Sequence, residues 1–234
     1  MPGVRIIDEV RRAILGGDWK PGEKLQPAAL AVRFGTSTTV VREALTRLAG
    51  DGLVTTVRNR GFFVPKLDLR ELSDITELRC VSEALAARLS LERGDLQWES
   101  ELIATHHQLS RAPRRDAAAP QHITDEWTAA HQAFHAKILE AAASPAMTRL
   151  AANLAHSTEL YRRWAAPSAA AAVRDVEQEH RGILEAALAR DADRLAALLR
   201  AHYEATVQVV LEAGLVAGAR PGNSGSASLE GAWK

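Results

Sequence analysis

Two regimes of hydrophobic periodicity meet at Pro65, and that change constrains the fold more than any other feature of this 234-residue chain. Before it lie short segments cut by glycine and proline. Val4 to Leu15 reads as an amphipathic helix, with Ile6, Ile7, Val10, Ile14 and Leu15 near one face. Gly16-Gly17 ends it and Pro21-Gly22 marks a turn. A second short helix runs from Pro27 to Phe34. A third, N-capped by Ser37, runs from about Thr38 to Ala49 and closes at Gly50. Leu53 to Val57 and Phe62 to Val64 read as strands joined by the tight turn Arg58-Asn59-Arg60-Gly61. After about Glu71 only helical patterns remain, at about 71–93, 96–111, 122–143, 145–164, 171–190 and 192–215, with Asp191 as the cap of the last. The expected fold is mainly α. A winged helix-turn-helix over 1–66 is followed by an all-α bundle over 67–215, with a Gly/Ser-rich disordered tail over 216–234.

Charge divides at the same place. The net charge is zero, yet residues 1–66 carry 11 Lys+Arg against 6 Asp+Glu, leaving 18 against 23 for the remainder. All eight histidines fall in the acidic part. A small basic module ahead of a larger His-bearing one implies two tasks on two domains. The single Cys80 excludes an intramolecular disulfide framework and a cysteine-built zinc finger. No stretch approaches the ~20 apolar residues of a membrane span, and the opening MPGVRIIDEV places charges where a signal peptide has its apolar run. A cytoplasmic location with no membrane partner is expected.

In a helix-turn-helix the second helix enters the major groove, and its N-terminal residues meet base edges. Here that helix is STTVVREALTRLAG. Ser37, Thr38 and Thr39 offer short hydroxyls, Arg42 lies one turn further in, and Arg47 adds a second cation. Val41, Ala44, Leu45 and Leu48 form the stripe that holds the helix down. Arg58, Asn59 and Arg60 at the hairpin tip suit a narrow, electronegative minor groove. Either piece alone would pass for a solvated surface; together, at this spacing, they point to double-stranded DNA.

Residues 4–64 resemble the DNA-binding domain of the GntR family of bacterial transcription regulators. The likeness rests on "IIDEVRRAILGGDWKPGEKL", "PAALAVRFGTSTTVVREALTRLAGDGLV" and "RNRGFFV". The family usually places an arginine and a proline at the opening of the recognition helix, where this chain has Thr38 and Val40, so its operator sequence is not transferable. The helical part is similar to the FCD effector domain of the FadR-type branch. Many such domains hold a metal through an Asp and a His four residues apart, plus one His from each of two later helices. The resemblance maps these onto HQAFHAKIL, with His135 as the histidine and His131 at the aspartate position, and then onto His180 and His202. It also implies that Arg79 faces the effector pocket, where a guanidinium can grip a carboxylate in two parallel bonds. Its competing role is a surface ion pair with Glu83. Arg162 and Arg163 are further candidates for that pocket.

The histidine spacing has its own logic. Residues i and i+4 share a helical face with Cβ atoms roughly 6 Å apart, so His131 and His135 can grip one ion. His180 and His202 lie on helices joined by a short turn and can converge on it. Four imidazoles favour zinc, then nickel, over magnesium or calcium. They must be neutral to bind, so occupancy should decline below about pH 6.5.

The function expected is that of a non-enzymatic regulator, a homodimeric repressor on a near-palindromic operator. A small carboxylate at the metal centre would tune its affinity for DNA. A metal-responsive regulator without organic effector is one alternative. The other is a metal-dependent hydrolase fused to a DNA-binding head, for which Asp125 and Glu126 are the nearest upstream carboxylates.

Overall fold

The computed structural model describes residues 2–214; the tail expected over 216–234 lies outside them. The chain begins with α1 (Pro2–Leu15), the strand β1 (Lys24–Leu25), α2 (Pro27–Arg33) and α3 (Thr38–Gly50). A hairpin follows, of β2 (Thr55–Val57) and β3 (Gly61–Phe63). The three strands form an antiparallel sheet in the order β1-β3-β2, with Leu25 opposite Phe62 and Val57 opposite Gly61. β1 has only two residues, too few for any periodicity to show, and the sequence gives no sign of it. Leu53 and Val54, expected to open β2, are buried but lie outside the strand.

α3 forms where the sequence places it. Ser37 Oγ accepts the Val40 N–H as N-cap, and Val41, Ala44, Leu45 and Leu48 are buried. They pack with Ile6, Val10 and Ile14 of α1 and with Leu25, Leu30, Phe62 and Val64. At the hairpin tip Arg60 N–H donates to the Val57 carbonyl, and Asn59 takes φ 60°, a left-handed value that asparagine tolerates better than most residues.

Beyond the linker come α4 (Leu69–Arg93), α5 (Leu96–Arg111), α6 (Asp125–Glu140) and α7 (Pro145–Ala165). The short α8 (Ala169–Val173), α9 (Val176–Leu188) and α10 (Ala192–Glu212) complete the bundle. Asp68, Asp95, Thr124, Ser144, Asp175 and Asp191 each accept a first-turn backbone N–H, which sets the start of every long helix. Two expected segments are corrected. The helix over 122–143 starts at Asp125, because Thr124 is its cap and Ile123 bridges to Arg115. The segment 171–190 is two helices, because Arg174 is extended (ψ 121°) and Asp175 caps a new start.

α7 belongs to two cores at once. Leu160 is buried among the apolar residues of the N-terminal domain, and Trp164 packs against the same cluster. Tyr161 instead joins Leu72 and Val210 of the bundle, and its hydroxyl bonds both the N–H and the carbonyl of Asp68 in the linker. Truncation at Leu160 therefore removes a bundle residue from the head's core. Leu160→Ala is expected to lower stability by about 2–4 kcal/mol, seen as an earlier urea midpoint for the N-terminal domain than for the bundle.

Candidate metal centre and nucleic-acid interface

Three helices bring four imidazoles to one point. α6 supplies His131 and His135, α9 His180 and α10 His202, all four buried, and their donor nitrogens lie within 4.8 Å of one another. His135 Nε2 and His180 Nε2 are 3.4 Å apart. That is long for a hydrogen bond. It equals the edge of a tetrahedron whose corners sit 2.0–2.1 Å from a central zinc, about 3.3–3.4 Å. The donor set and its spacing thus fit a borderline divalent ion with small adjustments of the other two rings.

The rings are neutral at pH 7. Burial, reinforced by the neighbouring imidazoles and arginines, pushes His131, His135 and His180 well below the ordinary histidine value. His202 is lowered to about 4, mostly by burial and against the pull of Glu179. Its Nδ1 lies 2.6 Å from Glu179 Oε2, which leaves Nε2 for the cluster. Glu179 is itself clamped by Arg174 through both carboxylate oxygens, at 2.7 and 2.6 Å. Burial would raise this carboxyl, yet the bonds to His202 and Arg174 hold it at about 2. A carboxylate behind a metal-facing histidine fixes the tautomer and the ring direction. His131 stacks on Trp127 at 4.8 Å, one turn earlier on the same helix.

Arginines surround the cluster. A cavity of about 220 Å³ is lined by Arg79, Glu83, His131, Gln132, His135 and Arg162. A narrower one on the far side is lined by Arg79, Arg114, His131, Arg162, Arg174 and His202 among others. Arg79, Arg162 and His131 form the wall between the two. Arg79 does pair with Glu83, as its competing role required, but the pair is buried and not at the surface. Arg79 Nη1 also reaches Thr158 Oγ1, and its guanidinium lies 3.9 Å over the Tyr203 ring. Arg162 pairs with Glu159, while its Nε and that of Arg114 are buried without partners. Burial, with help from nearby arginines, lowers Arg114 to about 10. Arg163 turns away from the cavities and bonds Glu159, Asp125 and Thr128 on the side facing the N-terminal domain. Asp125, weighed as a catalytic base, is thereby tied up on that outer side. The carboxylates that do approach the cluster, Glu179 and Glu83, are each held by an arginine.

Sequence reasoning missed Arg114, Arg174, Glu179 and Tyr203. Glu179 stands next to His180 in "EQEHRGIL", and that adjacency was the one available signal. Arg174 sits in an interhelical break, where periodicity has nothing to say. Of the remaining histidines, His106 packs edge-on against Phe134 and His156 is exposed beside the larger cavity.

At the other end of the molecule, Ser37, Thr38, Thr39, Arg42, Arg47, Arg58, Asn59 and Arg60 are all exposed. Arg11 and Arg33 of the same domain are paired with Asp51 and Asp18. By contrast Arg42, Arg47, Arg58 and Arg60 make no ion pair among the described residues. At 100° per residue, Arg42 and Arg47 stand about 140° apart on the two flanks of the exposed face of α3. Ser37 Oγ accepts the Val40 N–H in the cap, and its hydroxyl proton remains free to donate.

A recognition helix and wing with unpaired arginines, ahead of a helical bundle with a buried histidine cluster, point to a DNA-binding transcription regulator. The description "Bacterial regulatory proteins, gntR family" matches residues 2–64, and "FCD domain" matches residues 74–205. The chain is 35% identical to the uncharacterized HTH-type transcriptional regulator BphR of Paraburkholderia xenovorans, over 90% of this chain and 85% of that protein. It is 30% identical to the HTH-type transcriptional repressor GlaR of Escherichia coli, over 87% of this chain and 93% of that protein. The structure of E. coli McbR/YncC superposes with a TM-score of 0.64 at 20% identity, covering 89% and 96% of the two chains. The chain belongs to the GntR family of transcriptional regulators, in the branch that carries an FCD domain. No helix among its described residues is long and apolar enough to cross a membrane.

The knot on α7 generates a pH prediction. Burial would raise the Glu159 carboxyl, but Arg162 and Arg163 outweigh that and hold it below its ordinary value. Its stabilisation is complete above the unfolded pKa of about 4.3 and is lost as pH falls through the depressed folded value. Glu159→Gln should cost about 3 kcal/mol at pH 7, a deficit that begins to shrink below about pH 4 and closes once pH is under the depressed folded value, in urea unfolding followed across pH.

Proposed function

We propose that the chain is a homodimeric repressor whose operator affinity is set by a small carboxylate bound beside a divalent ion, zinc before nickel. The observation that carries this reading is the buried four-imidazole cluster, which shares its walls with Arg79 and Arg162. His131, His135, His180 and His202 would hold the ion, which supplies a fixed positive charge next to the cavity. The unpartnered Nε–H of Arg162 and the guanidinium of Arg79 would then fix and orient the carboxylate. An apolar guest would leave the Arg162 Nε–H and the ion's charge without a partner, so the site selects anions.

α7 offers the route to DNA. It presents Arg162 to both cavities and Thr158 to the narrower one, and puts Leu160 and Trp164 against the head's core. An anion that draws Arg162 away from Glu159 competes with the ion pair that ties α7 together. A shift of α7 moves the head, whose spacing from its symmetry mate decides the fit to two half-sites about one helical turn apart. A coupling of about 1–3 kcal/mol changes operator affinity by roughly 5- to 150-fold. The division assumed is a DNA-binding domain over 1–66 and an effector domain over 67–215.

Native mass spectrometry of protein purified without a His tag tests the metal centre. The wild type is expected to retain one ion per chain and His135→Ala to lose it. Near-zero metal in both overturns this part. Glu179→Gln should weaken metal retention by about 10- to 100-fold, read by competition with a chelator.

Selection from a random duplex pool at low salt should enrich a near-palindromic site; no enrichment overturns the repressor reading. On the enriched site, Arg42→Ala should cost about 1–3 kcal/mol. The loss is confined to one base position if Arg42 reads a guanine, and uniform across sequences if it touches phosphate.

A further inference from the structure

Among the described residues α4 is the longest helix, and one of its faces has no partner. Leu78, Val81 and Leu85 lie exposed along it at 46, 61 and 50%. Charged residues extend the same face in both directions: Arg70, Asp74 and Glu77 toward the N-terminus, Arg88 and Glu92 toward the C-terminus, all exposed. At 100° per residue these eight positions fall within about 60° of Val81. Single exposed apolar residues are ordinary, but a continuous stripe of three with charged ends marks an interaction surface.

The order of charges identifies the occupant. Counted from Val81, the stripe is a palindrome of spacing, with residues 4, 7 and 11 positions away on either side. Its charges are complementary under that reversal. Arg70 falls opposite Glu92 and Asp74 opposite Arg88, while Glu77 falls opposite Leu85 with Arg88 one turn away. A second α4 laid antiparallel across a two-fold axis at Val81 would therefore meet opposite charge at both ends and apolar side chains in the middle. Leu78 would seat between Val81 and Leu85 of the partner subunit. A parallel pairing would instead set Arg70, Asp74 and Arg88 each against its own copy, which is repulsive throughout.

Arg70, Asp74, Glu77 and Glu92 make no ion pair among the described residues. Arg88 pairs with Asp193, but both side chains are largely exposed, at 49 and 88%, so that bond competes weakly.

We propose that α4 is the seam of the homodimer: two copies pack antiparallel along Arg70–Glu92 with Val81 on the two-fold axis. The inference rests on the homodimer reading above and adds the surface, the direction and the register. An isologous interface of this kind has each residue opposite its mirror position, and residues on the axis lie opposite themselves.

That last property gives the test. In a Cys80→Ala background, Val81→Cys should form an intersubunit disulfide under mild oxidation, since on-axis Cβ atoms can approach the ~3.8 Å that the bond requires. Ile103→Cys, exposed at 45% on α5 and off the stripe, should not. Sedimentation equilibrium supplies the second arm. Asp74→Arg and Arg88→Asp should each weaken the dimer by roughly tenfold to a hundredfold, because symmetry reverses two pairs per dimer. The double variant should restore it to within about threefold. Asp193→Ala should leave the dimer unchanged. A wild type that sediments as a dimer while Val81→Cys cross-links no better than Ile103→Cys overturns the seam and leaves the homodimer standing. Failure of the double variant to recover also overturns the seam. A wild type that sediments as a monomer overturns both readings.

Discussion

Burying four imidazoles at one point of the bundle is the constraint around which the helical domain is organised. Neutral rings lose their hydration on burial and need partners in return. His202 finds Glu179, which needs Arg174, which in turn needs the break between α8 and α9 to reach it. His131 finds the face of Trp127, and His135 lies near the Tyr203 hydroxyl that Glu83 holds at 2.5 Å. Each satisfied group recruits the next, so the cluster sets the positions of α4, α6, α9 and α10 together. The Nδ1 atoms of His202 and His135 face Glu179 and the Tyr203 hydroxyl, and the four rings converge on one point.

The same chain of charges reaches the DNA-binding end through one helix. α7 has a cavity face, a linker face and a head face, and its charged residues serve different ones. Arg162 lines the cavities, Arg163 lies toward the N-terminal domain, and Glu159 binds both. A change in what Arg162 binds is therefore felt by the carboxylate that also anchors Arg163. This is a short route, one turn of helix long, and it runs beside the histidine cluster and not through it. With packed cores on both sides of α7, small shifts pass on as rigid-body movement more readily than they dissipate.

The parts of the site that share one helix were legible. His131 and His135 were readable because i and i+4 fix a common face, and α3 because its cap, apolar stripe and closing glycine agree. The histidines on α9 and α10 were placed by family likeness and a short turn, and the structure brings all four together. Arg114 and Arg174 were not legible: they sit in connections, where no period marks which residue turns inward. The two-residue β1 was invisible for the same reason, since its existence depends on β3 being there to pair with it.

From its residues alone this chain determined where helices begin and end, which end is cationic, and which side chains could take up an ion. Those follow from dihedral preferences, capping and charge, which act within a few positions. Only tertiary packing decided that Arg79 keeps its ion pair yet still borders a cavity. It decided too that Arg162 and Arg163, adjacent in sequence, serve opposite sides, and that α7 is shared by two cores. Successive helical residues point about 100° apart, and what lies in each direction depends on elements tens of residues away.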